Sequence, residues 1–275
     1  MKRFRVGGHA MSRWWVTVAV ALAAGAGIVC TGGSQAASSK RPVTVPIQIR
    51  DGVGTSIGAR PWIKVKVGNG PTVPVLLDTG SVGLHIYAPG VRTGAGSGVT
   101  RTGMRIQPYT YVDGTVQTGV LAKAKLTIGS VSTSKAVPFG LITRVGCVPS
   151  KPDCPTKNGI KAAVRKGEYG VMGVRFQPVP SGTPGNPLVS LPAPYSNRWS
   201  MAFSGHSSRL VLGAPVIPGT VLHFAGSPPK VTVCWTIGSI QNVCEHTIFD
   251  SGNPVMVVFG GPLATAPKPG STVAS

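Results

Sequence analysis

Short apolar runs alternate with turn residues along most of this chain, and where charge interrupts a run it does so at every second position. Ile63, Val65 and Val67 alternate with Lys64 and Lys66 before Gly68-Asn69-Gly70 turns the chain, and Val73 to Leu77 returns as an apolar run. Period-two alternation with glycine turns predicts strands joined as hairpins. The same pattern predicts strands over 43–49, 104–112, 116–128, 137–143, 209–212 and 230–240. Helical periodicity is nearly absent, and 38 glycines and 25 prolines punctuate the sequence too often for long helices. The expected fold class is all-β. A Pro/Gly/Ser-rich stretch over 177–198 reads as a linker between two parts.

Two of the apolar runs end alike. Val75-Leu76-Leu77 leads into Asp78-Thr79-Gly80-Ser81, and Thr247-Ile248-Phe249 leads into Asp250-Ser251-Gly252-Asn253. The chain holds only seven acidic residues, so two of them in the same place of a repeated segment is informative. A carboxylate at the end of an apolar strand is costly to bury unless hydrogen bonds hold it. The Thr/Ser-Gly that follows supplies a hydroxyl and a tight turn. Two such turns face to face would make a carboxylate pair sharing one proton, able to activate a water and to protonate a leaving group.

The first residues have a basic start (Lys2, Arg3, Arg5, Arg13), an apolar stretch from Trp14 to Val29, and small polar residues through Ser38. That order is expected of a secretory signal peptide over 1–36. The apolar stretch is 16 residues long, short of the roughly 20 needed to span a bilayer. No later stretch is long and apolar enough, so no stable span is expected after the leader is removed. Beyond the leader four cysteines remain: Cys147, Cys154, Cys234 and Cys244. An even count in an exported chain argues for two disulfides, and local pairing is the simplest of the three connectivities. Neither pair has metal-ligand spacing, so no metal and no cofactor are expected. With 27 Lys and Arg against seven acids the chain is strongly basic. The cations are scattered rather than run together, and aromatics do not interleave with them. This argues against nucleic acid as a partner and for an exported protein poor in carboxylates. Ser204-Gly205-His206-Ser207 lacks the nucleophile-elbow pattern, which leaves a Ser-His-Asp hydrolase without support.

Together these segments resemble the pepsin-like aspartic proteases. The hairpin Ile63 to Ser81 is similar to the one that opens the first lobe of that family. Tyr111-Val112-Asp113-Gly114-Thr115, with Gly119 and Leu121-Ala122 after it, resembles the flap of the plant, nepenthesin-like branch. Tyr169-Gly170-Val171-Met172-Gly173-Val174 resembles the segment that threads beside the catalytic loop. Arg209 to Gly213 and Phe259-Gly260-Gly261-Pro262 resemble second-lobe positions. The resemblance implies a bilobal pepsin-like fold with a shortened C-terminal lobe, since only 25 residues follow Asp250. The implied organisation is a signal peptide at 1–36, an N-terminal extension or pro-segment at 37–60, a catalytic lobe at 61–190 and a shortened lobe at 191–275. It implies catalytic roles for Asp78 and Asp250, supporting roles for Thr79, Gly80, Ser81, Ser251 and Gly252, and a substrate-binding flap of Tyr111, Asp113, Gly114 and Thr115. The implied partner is a peptide or protein substrate. Three departures stand out: Asn253 where the family usually has Ser or Thr, His85 where a tryptophan usually backs the flap tyrosine, and no second apolar-apolar-Gly segment at the family's spacing after Asp250 to complete the second lobe. A non-catalytic scaffold that binds peptide, protein or polysaccharide is the alternative.

Overall fold

Alternation along the strands sorts the side chains into a core and a cleft. The computed structural model describes residues 41–51, 59–204, 207–215, 231–237 and 240–253, all within one compact unit, Lys40–Ser275. The expected leader, Phe259–Pro262 and the C-terminal tail lie outside the described residues, as do Gly205 and His206. The fold is mostly β, as expected. Near the N-terminus are β1 (Val43–Pro46), β2 (Gln48–Asp51), β3 (Ala59–Val67), β4 (Thr72–Asp78) and β5 (Val82–Tyr87). Next come β6 (Val99–Arg105), β7 (Tyr109–Thr110), β8 (Thr115–Ala124), β9 (Leu126–Ile128), β10 (Val131–Ser132) and β11 (Val137–Cys147). The remainder is α1 (Gly159–Arg165), β12 (Gly170–Val174), β13 (Trp199–Ala202), β14 (Arg209–Leu212), β15 (Val231–Ile237) and β16 (Ile240–Thr247).

One large sheet runs β10-β9-β3-β4-β12-β5-β11-β8-β6, with β2 added to β3 and β7 to β8. Its centre positions the first aspartate. β12 inserts between β4 and β5, parallel to the former and antiparallel to the latter, with Gly173 in register with Asp78. On β3 and β4, Ile63, Val65, Val75 and Leu77 point to one face and are at most 1% exposed. They pack with Phe139, Leu141, Leu126 and Met172 in the main core. Removing such side chains from water is the main favourable contribution to folding. The intervening residues Trp62, Leu76 and Asp78 face the other way, toward the cleft described below.

A second, smaller sheet has the order β1-β14-β13, and β15 pairs with β16 as a hairpin. Leu210 and Leu212 of β14 join the same core as the large sheet. The expected strand over 43–49 divides at Ile47, whose N–H donates to Ser208 O at 2.9 Å. β1 then pairs with β14, while β2 pairs with β3. One short segment thus stitches the two sheets together.

Three other departures from the sequence pattern have local causes. The expected strand at 104–112 is instead β6 and β7, separated around Pro108, which has no N–H to give a ladder. α1 has no counterpart in the sequence pattern, since seven residues are too few to show a helical period. It lays Ala163 against Tyr87 and Ile142. The stretch 177–198 does not run freely over the surface. Asn186 accepts a hydrogen bond from Leu188 N at 2.9 Å, starting a 3-10 turn over Pro187–Ser190. That turn buries Leu188 and Leu191 in the main core. Cys147 and Cys154 form a disulfide. Cys234 is also disulfide-bonded, and the β15–β16 register sets it opposite Cys244.

Candidate active site

The two repeated turns meet, and each holds the other. Thr79 N donates to Ser251 Oγ at 3.1 Å, and Ser251 N donates to Thr79 Oγ1 at 2.9 Å. Each hydroxyl then donates to the carbonyl just before the partner's aspartate: Thr79 Oγ1 to Phe249 O at 2.7 Å, Ser251 Oγ to Leu77 O at 2.8 Å. The four bonds are related by an approximate two-fold relation between segments 172 residues apart. A hydroxyl both donates and accepts, which is what lets one Thr and one Ser close this clasp. Valine or alanine in either place would leave backbone groups of the opposite loop without partners.

The clasp sets the two aspartates against one another. Within each loop the Gly N–H donates back to its own carboxylate, Gly80 N to Asp78 Oδ1 at 2.7 Å and Gly252 N to Asp250 Oδ1 at 2.8 Å. Each glycine also touches the opposite carboxylate. A Cβ on Gly80 would lie 2.4 Å from Asp250 Cγ, and one on Gly252 would lie 2.7 Å from Asp78 Cγ. No side chain fits at either position without driving the carboxylates apart. Ser81 Oγ donates to Asp78 Oδ2. The equivalent place in the second loop is Asn253, so the approximate symmetry ends there.

Asp78 is 4% exposed. Its carboxyl is pushed up to about 7, first by burial and then by the charge of Asp250, with a hydrogen bond between the two carboxyls in the same direction. The Ser81 hydroxyl and Gly80 N–H oppose the shift. Two carboxyls this close cannot both ionise freely, so the charge of Asp250 adds to burial in favouring the protonated form of Asp78.

Above the pair lies the hairpin of β7 and β8. Its tip is closed by Tyr111 N to Thr115 O and Gly114 N to Tyr111 O, each 2.9 Å, and by Thr115 N to Asp113 Oδ1 at 2.8 Å. The 147–154 disulfide loop braces this tip. Val148 N donates to Gly114 O at 2.9 Å, and Lys151 Nζ donates to Val112 O. The expected flap residues Tyr111, Asp113 and Thr115 line a cleft of about 250 Å³ that also contains Asp78, Gly80, Ser81, Asp250, Gly252 and Asn253. Gly114 is at the tip, beside Lys151. The structure therefore brings the two loops and the β7–β8 hairpin tip to one cleft. Neither Cys147 nor Cys154 lines it; their disulfide acts at a distance, through the brace.

Several cleft residues carry no motif in the sequence. Tyr109 stands two residues before Tyr111, and their rings are 4.8 Å apart. The Tyr109 hydroxyl is held by Ser81 and by the Val82 backbone, one step from Asp78. The two-residue spacing of Tyr109 and Tyr111 is the signal that pairs these tyrosines. Gln117 is 1% exposed and bonds to His85. Tyr111 Oη lies 3.5 Å from both His85 Nδ1 and Gln117 Oε1. Burial holds the His85 imidazole down to about 4, so its ring stays neutral through weakly acid conditions. Arg60, Trp62 and Glu168 line the end of the cleft on the β3 side. Among the described residues no group of three or more His, Cys, Asp or Glu side chains could hold a metal ion.

No protein-family model matches the sequence, and no curated protein matches it. Among solved structures, the chain is similar to an aspartic proteinase from Irpex lacteus, at 18% identity and a TM-score of 0.46 over 78% of this chain. The matched part spans 64% of that protein's length.

Two outcomes follow from this geometry. In a double-mutant cycle, Thr79→Val and Ser251→Ala should each destabilise the protein by about 1–3 kcal/mol. Their effects should be coupled by about 0.5–3 kcal/mol, as measured by denaturant unfolding; simple additivity would mean that the two hydroxyls act independently. The second outcome concerns pH. A carboxyl raised from 3.8 to about 7 on folding favours the protonated native state. Between these values the unfolded chain binds fewer protons, so this contribution to stability is full below about pH 4 and lost as pH rises through about 7. Thermal unfolding of Asp78→Asn should lack that part of the decline. An identical pH profile for both proteins would show that Asp78 carries no such shift.

Proposed function

We propose that this chain is an exported aspartic endopeptidase that hydrolyses peptide bonds with the Asp78–Asp250 pair, working in acid. The observation that carries the proposal is two hydrogen-bonded carboxyls at the base of a cleft, clamped together by reciprocal Thr79 and Ser251 bonds. A pair that keeps one proton offers a base and an acid side by side. The ionised carboxylate takes a proton from a bound water as the water oxygen attacks the scissile carbonyl carbon. The protonated carboxyl hydrogen-bonds the carbonyl oxygen and gives it a proton as the tetrahedral diol forms. Collapse of the diol breaks the C–N bond, with a proton delivered to the leaving amine. No metal and no covalent enzyme intermediate is required. Burial favours Asp78 as the carboxyl that first holds the proton, and Ser81 and Gly80 N–H orient it.

The flap supplies the other wall. An extended peptide under Tyr111 and Thr115 would lie between the hairpin and the floor formed by Leu76 and Val171. The leader-like residues 1–36 and the disulfides fit export, and residues 37–60 are proposed as an extension that precedes the catalytic part. A second reading, a scaffold that binds peptide without cleaving it, is favoured by Asn253. In the first loop the matching Ser81 hydroxyl holds the outer carboxylate oxygen, and an amide in its place changes the balance of the pair.

The test is cleavage of an unfolded protein across the acid range, with and without a pepstatin-type inhibitor. Asp78→Asn and Asp250→Asn should each reduce the rate by about 10²–10⁴-fold or more. The double variant should lose little beyond either single change, because the pair acts as one unit. Full activity in Asp250→Asn would remove it from the mechanism. Peptide binding without cleavage by the unaltered protein would select the scaffold.

A further inference from the structure

The strand that floors one end of the cleft carries more hydrogen-bond donors than the protein satisfies. Arg60 and Trp62 stand two residues apart on β3, hence on the same face, and both line the cleft. They are 9% and 4% exposed. Neither Arg60 Nε nor Trp62 Nε1 has a hydrogen-bond partner. Arg50 lies directly opposite Arg60 in the β2–β3 register, and its guanidinium sits 4.3 Å over the Trp62 ring. Its Nε is also without a partner, while its NH2 group donates to Gly167 O at 2.8 Å. Of the four such buried side-chain nitrogens among the described residues, these are three. Their grouping on one face identifies a place and not scattered packing faults.

Buried donors are normally satisfied, and a guanidinium or indole N–H can only donate. The missing partner is therefore an acceptor. Charge narrows its identity. Two guanidiniums directly opposite on neighbouring strands repel one another. Glu168 lines the same end of the cleft and its charge acts on Arg50. One carboxylate against two guanidiniums leaves net positive charge there. A neutral carbonyl or a water would satisfy a donor but not that charge. A carboxylate does both, in the planar geometry a guanidinium favours.

We propose that Arg60 and Trp62, with Arg50 behind them, form a subsite for a carboxylate of the bound peptide. Two sources have this chemistry, an acidic side chain and a free C-terminus. The assignment rests on the peptide-cleft function proposed above and adds to it a preference among peptides. Arg60 and Trp62 are here binding residues and take no part in proton transfer.

The experiment uses the mature protein and matched peptides. One set carries Glu or Gln in turn at each position flanking the scissile bond; the other has a free or an amidated C-terminus. The ratio of kcat/KM within each pair is the readout, and a parallel series measures peptide affinity with Asp78→Asn by fluorescence polarisation. Glu at one position, or the free C-terminus, should be favoured by about 10-fold or more. Arg60→Gln should bring that ratio close to one, whatever the absolute rate. Arg60→Lys, which keeps the charge but not the fork, should retain part of it. Trp62→Phe should lower it several-fold with the aromatic surface kept. A ratio near one for every pair in the unaltered protein, or a ratio that survives Arg60→Gln, overturns the subsite and means that water alone fills it. Cleavage without preference sinks the subsite and leaves the peptidase standing. Preference in binding, lost in Arg60→Gln and unaccompanied by cleavage, upholds the subsite and sinks the peptidase.

Discussion

Four hydrogen bonds between Thr79 and Ser251 and their opposite loops fix where everything else in the cleft can be. They are short-range and directional, and they cross the largest sequence separation in the site. A buried carboxyl beside a half-buried one is unfavourable on its own account, through desolvation and like charge. The clasp supplies the opposing restraint. It ties each loop to the carbonyl preceding the other aspartate, so neither carboxyl can turn away without giving up backbone bonds. Gly80 and Gly252 remove the last steric obstacle, leaving each carboxyl against the other loop's bare Cα. The upward shift of the Asp78 carboxyl follows from burial together with that enforced approach.

Around this point the chain concentrates its few acids. Asp78, Asp113, Glu168 and Asp250, four of the seven acidic residues, line the cleft of an otherwise basic protein. Asp113 holds the hairpin turn, through Thr115 N. The hairpin is in turn held at its tip by a disulfide-closed loop, a covalent staple beyond the cleft. His85, Gln117 and the tyrosines form a hydrogen-bonded backing that is neutral in weak acid, where burial keeps the His85 ring uncharged. The result separates chemistries: carboxyls at the floor, neutral dipoles behind the hairpin tip, and the guanidiniums of Arg50 on β2 and Arg60 on β3 at the far end.

Much of this is legible in the sequence because it is local. Alternation of Ile63, Val65 and Val67 with lysines sets the face of β3, and the repeated Asp-Thr/Ser-Gly turn marks the two loops by itself. The strand Arg209–Leu212 has the bounds its pattern predicts. What escapes the pattern depends on partners distant in sequence. Ile47 breaks the first strand because its N–H goes to Ser208, far along the chain. Leu188 sits in a segment whose composition reads as a linker, yet its neighbours are core residues from the large sheet. Arg60 and Trp62 are ordinary strand residues in the sequence. They become notable only when β2 brings Arg50 beside them and their donors are found without acceptors.

The central claim is that burial and the charge of Asp250 together hold the Asp78 carboxyl in its protonated form. The chain has only five aspartates, few enough for carboxyl ¹³C resonances to be assigned by substitution. Titration of the ¹³C-aspartate-labelled protein should show Asp78 retaining its proton to about pH 7. In Asp250→Asn the same resonance should titrate lower, because the neighbouring negative charge has gone. A resonance for Asp78 that titrates near 3.8 in both proteins would contradict the pair, and with it the account of the cleft as an acid–base site.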